Sequence, residues 1–127
     1  MEPAKYIKRI LVDNISELTG LSAEHIHALY IPGTDKTTTE PILVVSEIPD
    51  DSADYGNDTP VVKYKRVQID FRYPKNFMKD MEAIEDSVES LLLSQRVNCF
   101  SNAGHILSPD SQNIVNTLKF NYTKEEI

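Results

Sequence analysis

The spacing of hydrophobic side chains changes several times along this chain, and each change marks a different element. From Pro3 to Leu18, Ile7, Ile10, Leu11, Ile15 and Leu18 recur at three- and four-residue steps, the stripe of an amphipathic helix. Pro3 suits the first helical turn, and Gly20 can close the helix in the left-handed conformation. After Ser22, the residues His27, Leu29 and Ile31 alternate with Ile26, Ala28 and Tyr30, a strand pattern stopped by Pro32-Gly33. Ile42 to Ile48 is β-branched and almost continuously apolar, which predicts a strand buried on both faces in the middle of a sheet.

The stretch from Asp50 to Pro60 collects Asp50, Asp51, Asp54, Asp58, Ser52, Gly56 and Asn57, and reads as an exposed acidic loop. A long extended segment follows, in which Val67, Ile69, Phe71 and Tyr73 alternate with Gln68, Asp70 and Arg72. Val62 and Tyr64 are out of phase with that set. A bulge near Lys65-Arg66 would bring both sets to one face, and so long a strand reaches from the body of the sheet into a projecting hairpin. Pro74 ends the strand, and Asn76 is placed to cap a second helix carrying Met81, Ile84, Val88, Leu91 and Leu92 at helical spacing. On its other side Asp80, Glu82, Glu85, Asp86 and Glu89 predict an acidic outer surface. Short strands at Arg96 to Phe100 and His105 to Leu107, a turn at Pro109 to Asn113 and a closing strand with Ile114, Leu118, Phe120 and Tyr122 on one face complete the order. The expected fold class is α+β: one domain over residues 1–127, a mixed or antiparallel sheet with two helices packed on one face.

Charge narrows the functional classes. Thirteen Lys and Arg against twenty Asp and Glu leave a net charge of −7, which disfavours sequence-specific binding of nucleic acid, because that role needs clustered cations. The longest apolar runs fall far short of the roughly 20 residues that cross a bilayer, so no membrane partner is expected. Met1-Glu2-Pro3-Ala4-Lys5 does not begin a secretory leader, and a lone Cys99 forms no intrachain disulfide; both fit a protein that stays in the cytoplasm of its cell.

Reactive chemistry finds thin support. His25 and His27, two apart, share a face of a strand within reach of one metal ion, but a complete zinc set with Cys99 and His105 needs a convergence that the spacing does not supply. Cys99 with His105 as nucleophile and base lacks an activating pattern, and a small buried, inert Cys is the commoner state. The four glycines form neither GxGxxG nor GxxxxGK, so no nucleotide cofactor is indicated. The reading is therefore a non-enzyme without cofactor or metal. Lys63, Lys65 and Arg66 interleave with Tyr64 and Val67 and oppose the acidic loop and acidic helix in sign. Such separated patches suit a head-to-tail interface between copies, which closes into a ring when the rotation permits.

Four stretches carry a resemblance: EPILVVSEIPDDSADYGND, VQIDFRYPKNF, the acidic helix MKDMEAIEDSVESLL, and SNAGHILSPDSQNIVNTLKF. Together they span nearly the whole chain, which resembles a family of small tail proteins of long-tailed, non-contractile bacteriophages, similar in architecture to the lambda-type tail terminator. That resemblance implies a virion protein of the head–tail joint, assembled in the host cytoplasm, in which a hexameric ring caps the tail tube and stops its polymerisation. The implied partners are further copies of itself, the major tail tube protein and the head–tail connector protein. Six copies at −7 each carry −42, and an acidic bore would repel DNA phosphates and let the genome slide. Exposure and charge mark Asp50, Asp51, Asp54 and Tyr55 in the acidic loop, and Lys63, Lys65 and Arg66 in the long strand, as contact surfaces. The competing readings are a neck or head-closure component of the same connector, and a small ligand-binding or hydrolytic domain using His25, His27 or Cys99 with His105.

Overall fold

In the computed structural model, residues 2–49, 63–108 and 113–124 are described. Helix α1 covers Pro3–Asp13, with Pro in its first turn, and buries Ala4, Ile7, Ile10 and Leu11. It is shorter than the apolar stripe suggests. Asn14 ends it, turning its side-chain amide back to donate to the Ile10 carbonyl at 2.9 Å. A 3₁₀ turn, Ile15–Glu17, then carries the chain to Leu18, which still reaches the core. Gly20 is left-handed, with φ of 67°, but it lies beyond this turn and closes no helix. The positive φ is what favours glycine here, since a Cβ would meet the Ile84 side chain only at 3.4 Å, about ordinary contact.

A second 3₁₀ turn, Ala23–His25, leads directly into the short strand β1, Ile26–Ala28, and β2 follows at Ile42–Glu47. Strand β3, Lys63–Tyr73, is joined to helix α2, Met81–Ser94; beyond it come β4, Asn98–Asn102, β5, Ile106–Leu107, and β6, Ile114–Lys124. The strands form one six-stranded mixed sheet in the order β1-β2-β3-β6-β4, with β5 pairing β6 beside β4. Among the described residues only β1 with β2 is parallel; the other ladders are antiparallel. Both helices lie on one face, so the molecule is an α+β fold as the element pattern predicts.

Alternation decides which side of each strand enters the core. Leu43 and Val45, then Val67, Ile69, Phe71 and Tyr73, then Leu118 and Phe120 are buried under the helices. The neighbours Val44, Gln68, Asp70, Arg72, Thr117 and Lys119 lie on the opposite, open face and are only partly covered. Strand β2 is thus flanked on both sides yet buried on one face, because no helix among the described residues covers the other. The bulge expected in the long strand is not there: β3 pairs β6 in unbroken register from Lys63 opposite Lys124 to Tyr73 opposite Ile114. Tyr64 consequently falls on the open side, half exposed, and the irregularity sits instead in β4, between Cys99 and Ser101.

Helix α2 starts one turn later than Asn76 suggests. Asp80 is its cap, accepting from the Ala83 amide at 3.2 Å, a bond worth about 1 kcal/mol, while Asn76 sits in the preceding turn with φ of 61°. The helix ends on paired backbone bonds, Val97 N–H to the Leu92 carbonyl at 2.8 Å and Arg96 N–H to the Leu93 carbonyl at 3.0 Å. Arg96 takes the left-handed position between them at φ of 64°, held there by buried Val97 and Leu92.

Candidate functional site

Among the described residues, two clusters of histidine and carboxylate and the two edges of the sheet hold the candidate chemistry. The first cluster lies at the β1 edge. His25 ends the 3₁₀ turn and His27 is the middle residue of β1, so both rings project toward the loop that follows. That loop returns Asp35 between them. The Nδ1 of His25 lies 2.9 and 3.0 Å from the two Asp35 oxygens, and the Nε2 of His27 also bonds Asp35. The Thr37 amide donates to the same carboxylate at 3.4 Å, and the Asp35 side chain is only 4% exposed. On its outer side, His25 Nε2 lies 2.7 Å from Glu40 and 3.6 Å from Glu24.

Burial opposes a charge on His25, but hydrogen bonds to Asp35 and Glu40, with the charges of both, outweigh it and hold the ring's pKa above the ordinary histidine value. Burial alone would raise Asp35; the bonds from His27, His25 and the Thr37 amide reverse that and hold it below the usual carboxylate range. The proximity of the two histidines was legible in their spacing. Asp35 and Glu40 were not, since one reads as a turn residue and the other as a solvated end of a loop.

The second cluster lies between α2 and the β4–β5 connection. Glu85 is 3% exposed; its Oε2 accepts from the Tyr73 hydroxyl at 2.6 Å and from His105 Nε2 at 2.8 Å. The acidic outer surface expected of α2 therefore loses this member, while Glu82 and Asp86 stay exposed. A signal was present: Glu85 stands seven residues before Leu92 and three before Val88, on the same face as both. Burial, then the Glu85 bond and charge, push the Tyr73 hydroxyl far above its ordinary pKa. Stacking of Tyr73 on Phe77, with ring centroids 5.3 Å apart, fixes the phenol in place.

The set His25, His27, Cys99 and His105 does not assemble. His25 and His27 meet on Asp35, His105 bonds Glu85, and Cys99 lies exposed on β4, its thiol bonding the Ser101 carbonyl at 3.4 Å. The residue is exposed rather than buried, and partial desolvation of its thiol, with Glu89 nearby, raises the Cys99 pKa despite the opposing Ser101 bond.

Of the residues expected at contact surfaces, Asp50, Asp51, Asp54 and Tyr55 lie outside the described residues. Lys63 and Lys65 are placed on β3 where, among the described residues, it outruns its neighbours, with Arg66 at the margin: β2 pairs no further than Val67 and β4 no further than Asn121. Among the described residues, Lys63 to Lys65 with Tyr122 to Lys124 thus form a two-stranded extension of β3 and β6, while the Arg66 carbonyl still accepts from the Ile48 amide at 3.1 Å. The sheet also exposes large apolar side chains at both lateral edges. Leu29 and Tyr30 leave β1 at 49% and 70% exposure, and Phe100, Ile106 and Leu107 on β4 and β5 are 48–62% exposed. An open cleft of about 500 Å³ lies on the uncovered sheet face, lined by Tyr30, Ile31, Val44, Asp70, Arg72 and Val115. No helix among the described residues is long and apolar enough to cross a membrane.

No protein-family model matches this chain, and no curated protein matches it.

Proposed function

We propose that this chain is a structural assembly subunit that joins copies of itself edge to edge into a ring. More particularly, we propose a tail terminator of a long-tailed bacteriophage, capping the tail tube and meeting the head–tail connector, as the resemblance of its sequence implies. One observation carries the ring: exposed apolar side chains stand at both ends of the strand order, Leu29 and Tyr30 at one and Phe100, Ile106 and Leu107 at the other. Isolated exposed apolar residues are ordinary, but edge strands bearing several of them invite pairing, and unlike edges meeting head to tail generate a closed ring when the rotation permits. The β3–β6 extension with Lys65, and Arg66 at its base, would supply the charge that sets the register of such contacts. As a cap, the ring would offer the tube one matching face and the incoming tube subunit none.

Native mass spectrometry and complementation test this together. The purified chain, alone or on tail tubes, is expected to assemble as a ring, and Phe100→Asp with Ile106→Asp to leave folded monomers by circular dichroism. Phage lacking the gene are expected to make overlong tails that the wild-type gene corrects. A chain that stays monomeric on tail tubes, or tails of normal length in its absence, overturns the reading.

A further inference from the structure

The side-chain ligand atoms of Glu24, His25 and Glu40 all lie within 4.8 Å of one another. We propose that these three side chains bind one divalent transition-metal ion of the zinc class, with Asp35 orienting the imidazole.

The argument starts from the ring nitrogens. Asp35 is a nearly buried carboxylate 2.9 and 3.0 Å from His25 Nδ1, so that nitrogen is the N–H donor. In the neutral ring the lone pair then resides on Nε2, which faces Glu40 at 2.7 Å and Glu24 at 3.6 Å. In the charged ring that nitrogen donates its proton to Glu40 at 2.7 Å, and a metal ion would displace this proton and take the lone pair between the two carboxylates. A carboxylate behind the far nitrogen of a metal-bound histidine is the usual support for such a ligand, because it fixes the tautomer and raises its basicity.

The spacing fits such an ion. Around tetrahedral zinc, bonds of about 2.0–2.2 Å set ligand atoms roughly 3.3 Å apart, so Glu24 is nearly in position and Glu40 must retreat by roughly half an ångström. Both have the freedom to do so, with side chains 76% and 48% exposed against 12% for His25. A dication offsets the three carboxylates Asp35, Glu40 and Glu24 better than the single proton on His25 does. An imidazole nitrogen among the ligands disfavours calcium and magnesium, which take oxygen, and the lack of a thiolate in the trio disfavours copper(I). Three protein ligands leave a fourth position for water.

The ion would also have a mechanical consequence. Glu24 and His25 precede β1 and Glu40 precedes β2, so coordination ties together the starting ends of these two parallel strands and closes the segment that carries Leu29 and Tyr30. Binding at this site does not depend on whether the chain forms rings.

Calorimetric titration of the tag-free, chelator-treated full chain with Zn²⁺ provides the test, with Co²⁺ absorption as a second reading of coordination. One ion per chain is expected to bind, with a tetrahedral Co²⁺ spectrum. Glu40→Gln and Glu24→Gln, exposed positions that keep the fold, should each weaken affinity about tenfold or more, and Asp35→Asn by about 10–100-fold. His105→Gln should leave affinity unchanged. No binding at free Zn²⁺ up to about 100 µM, or binding that neither Glu40→Gln nor Glu24→Gln weakens, overturns the proposal.

Discussion

The two histidine–carboxylate clusters use the same side chains in opposite arrangements. At the β1 edge, His25 meets three carboxylates, Asp35, Glu40 and Glu24, two of them on the solvent side. Beneath the β4–β5 connection a single carboxylate, Glu85, is shared by Tyr73 and His105 and shut away from water. The outer arrangement has surplus negative charge and room for side chains to rearrange, which is what a cation site needs. The inner one has one acceptor for two donors and little room, which is what a structural pin between α2 and the sheet needs. Counting carboxylates per imidazole, and asking which are free to move, separates the two roles better than residue type does.

The largest effect that would sharpen this contrast is expected at the pin. Glu85→Ala strands the Tyr73 hydroxyl, whose remaining contact with the Met81 carbonyl is a long 3.4 Å, and should cost about 2–3 kcal/mol by urea denaturation. Glu85→Gln, which keeps an acceptor, should cost distinctly less. Equal losses would mean that the charge, rather than the hydrogen bond, is what the core has been built around.

A smaller effect is expected in alkali. Tyr73 is held neutral in the folded chain by burial and by Glu85, so its folded pKa lies above its unfolded value. A neutral acid stabilised in this way contributes fully below the unfolded pKa near 10, and its contribution is lost as pH rises above that, because the unfolded chain then ionises. Tyr122, raised to about 12 by burial and by the nearby Tyr6 and Glu47, acts in the same direction. Wild-type stability should therefore fall above pH ~10, and the stability gap between wild type and Tyr73→Phe should narrow there, read by denaturation at stepped pH. A gap that stays constant would show that Tyr73 ionises normally in the fold.

The smallest effect belongs to the outer cluster. In chelator, Glu40→Gln should change stability by no more than about 0.5 kcal/mol, since the residue is half exposed and its pairing with His25 is screened. A loss as large as that of Glu85→Ala would make the outer cluster a pin as well and erase the contrast.

Much of the fold was readable because periodicity reports burial directly. The stripe Ile7, Ile10, Leu11 and the alternation Val67, Ile69, Phe71, Tyr73 each name the face that the structure buries. The errors cluster where a local pattern had two solutions. The out-of-phase Tyr64 admitted either a bulge or exposure, and the unbroken β3–β6 ladder chose exposure. Asn76 and Asp80 both suit a helix start, and the turn after Pro74, with Asn76 left-handed, passed that role to Asp80. Of the candidate site, the His25–His27 pair was legible, whereas Asp35, Glu40 and the burial of Glu85 were not singled out.

What the sequence determined alone is the set of elements and the inward face of each, because a period of two or 3.6 follows from backbone geometry and needs no partner. What only the tertiary structure decided is which polar groups meet. Asp35 reaches His25 across 10 residues and Glu85 reaches His105 across 20, and such distances close only when the sheet order and the packing of α2 are set. Contacts of that span depend on the placement of whole elements, which no local spacing along the chain encodes.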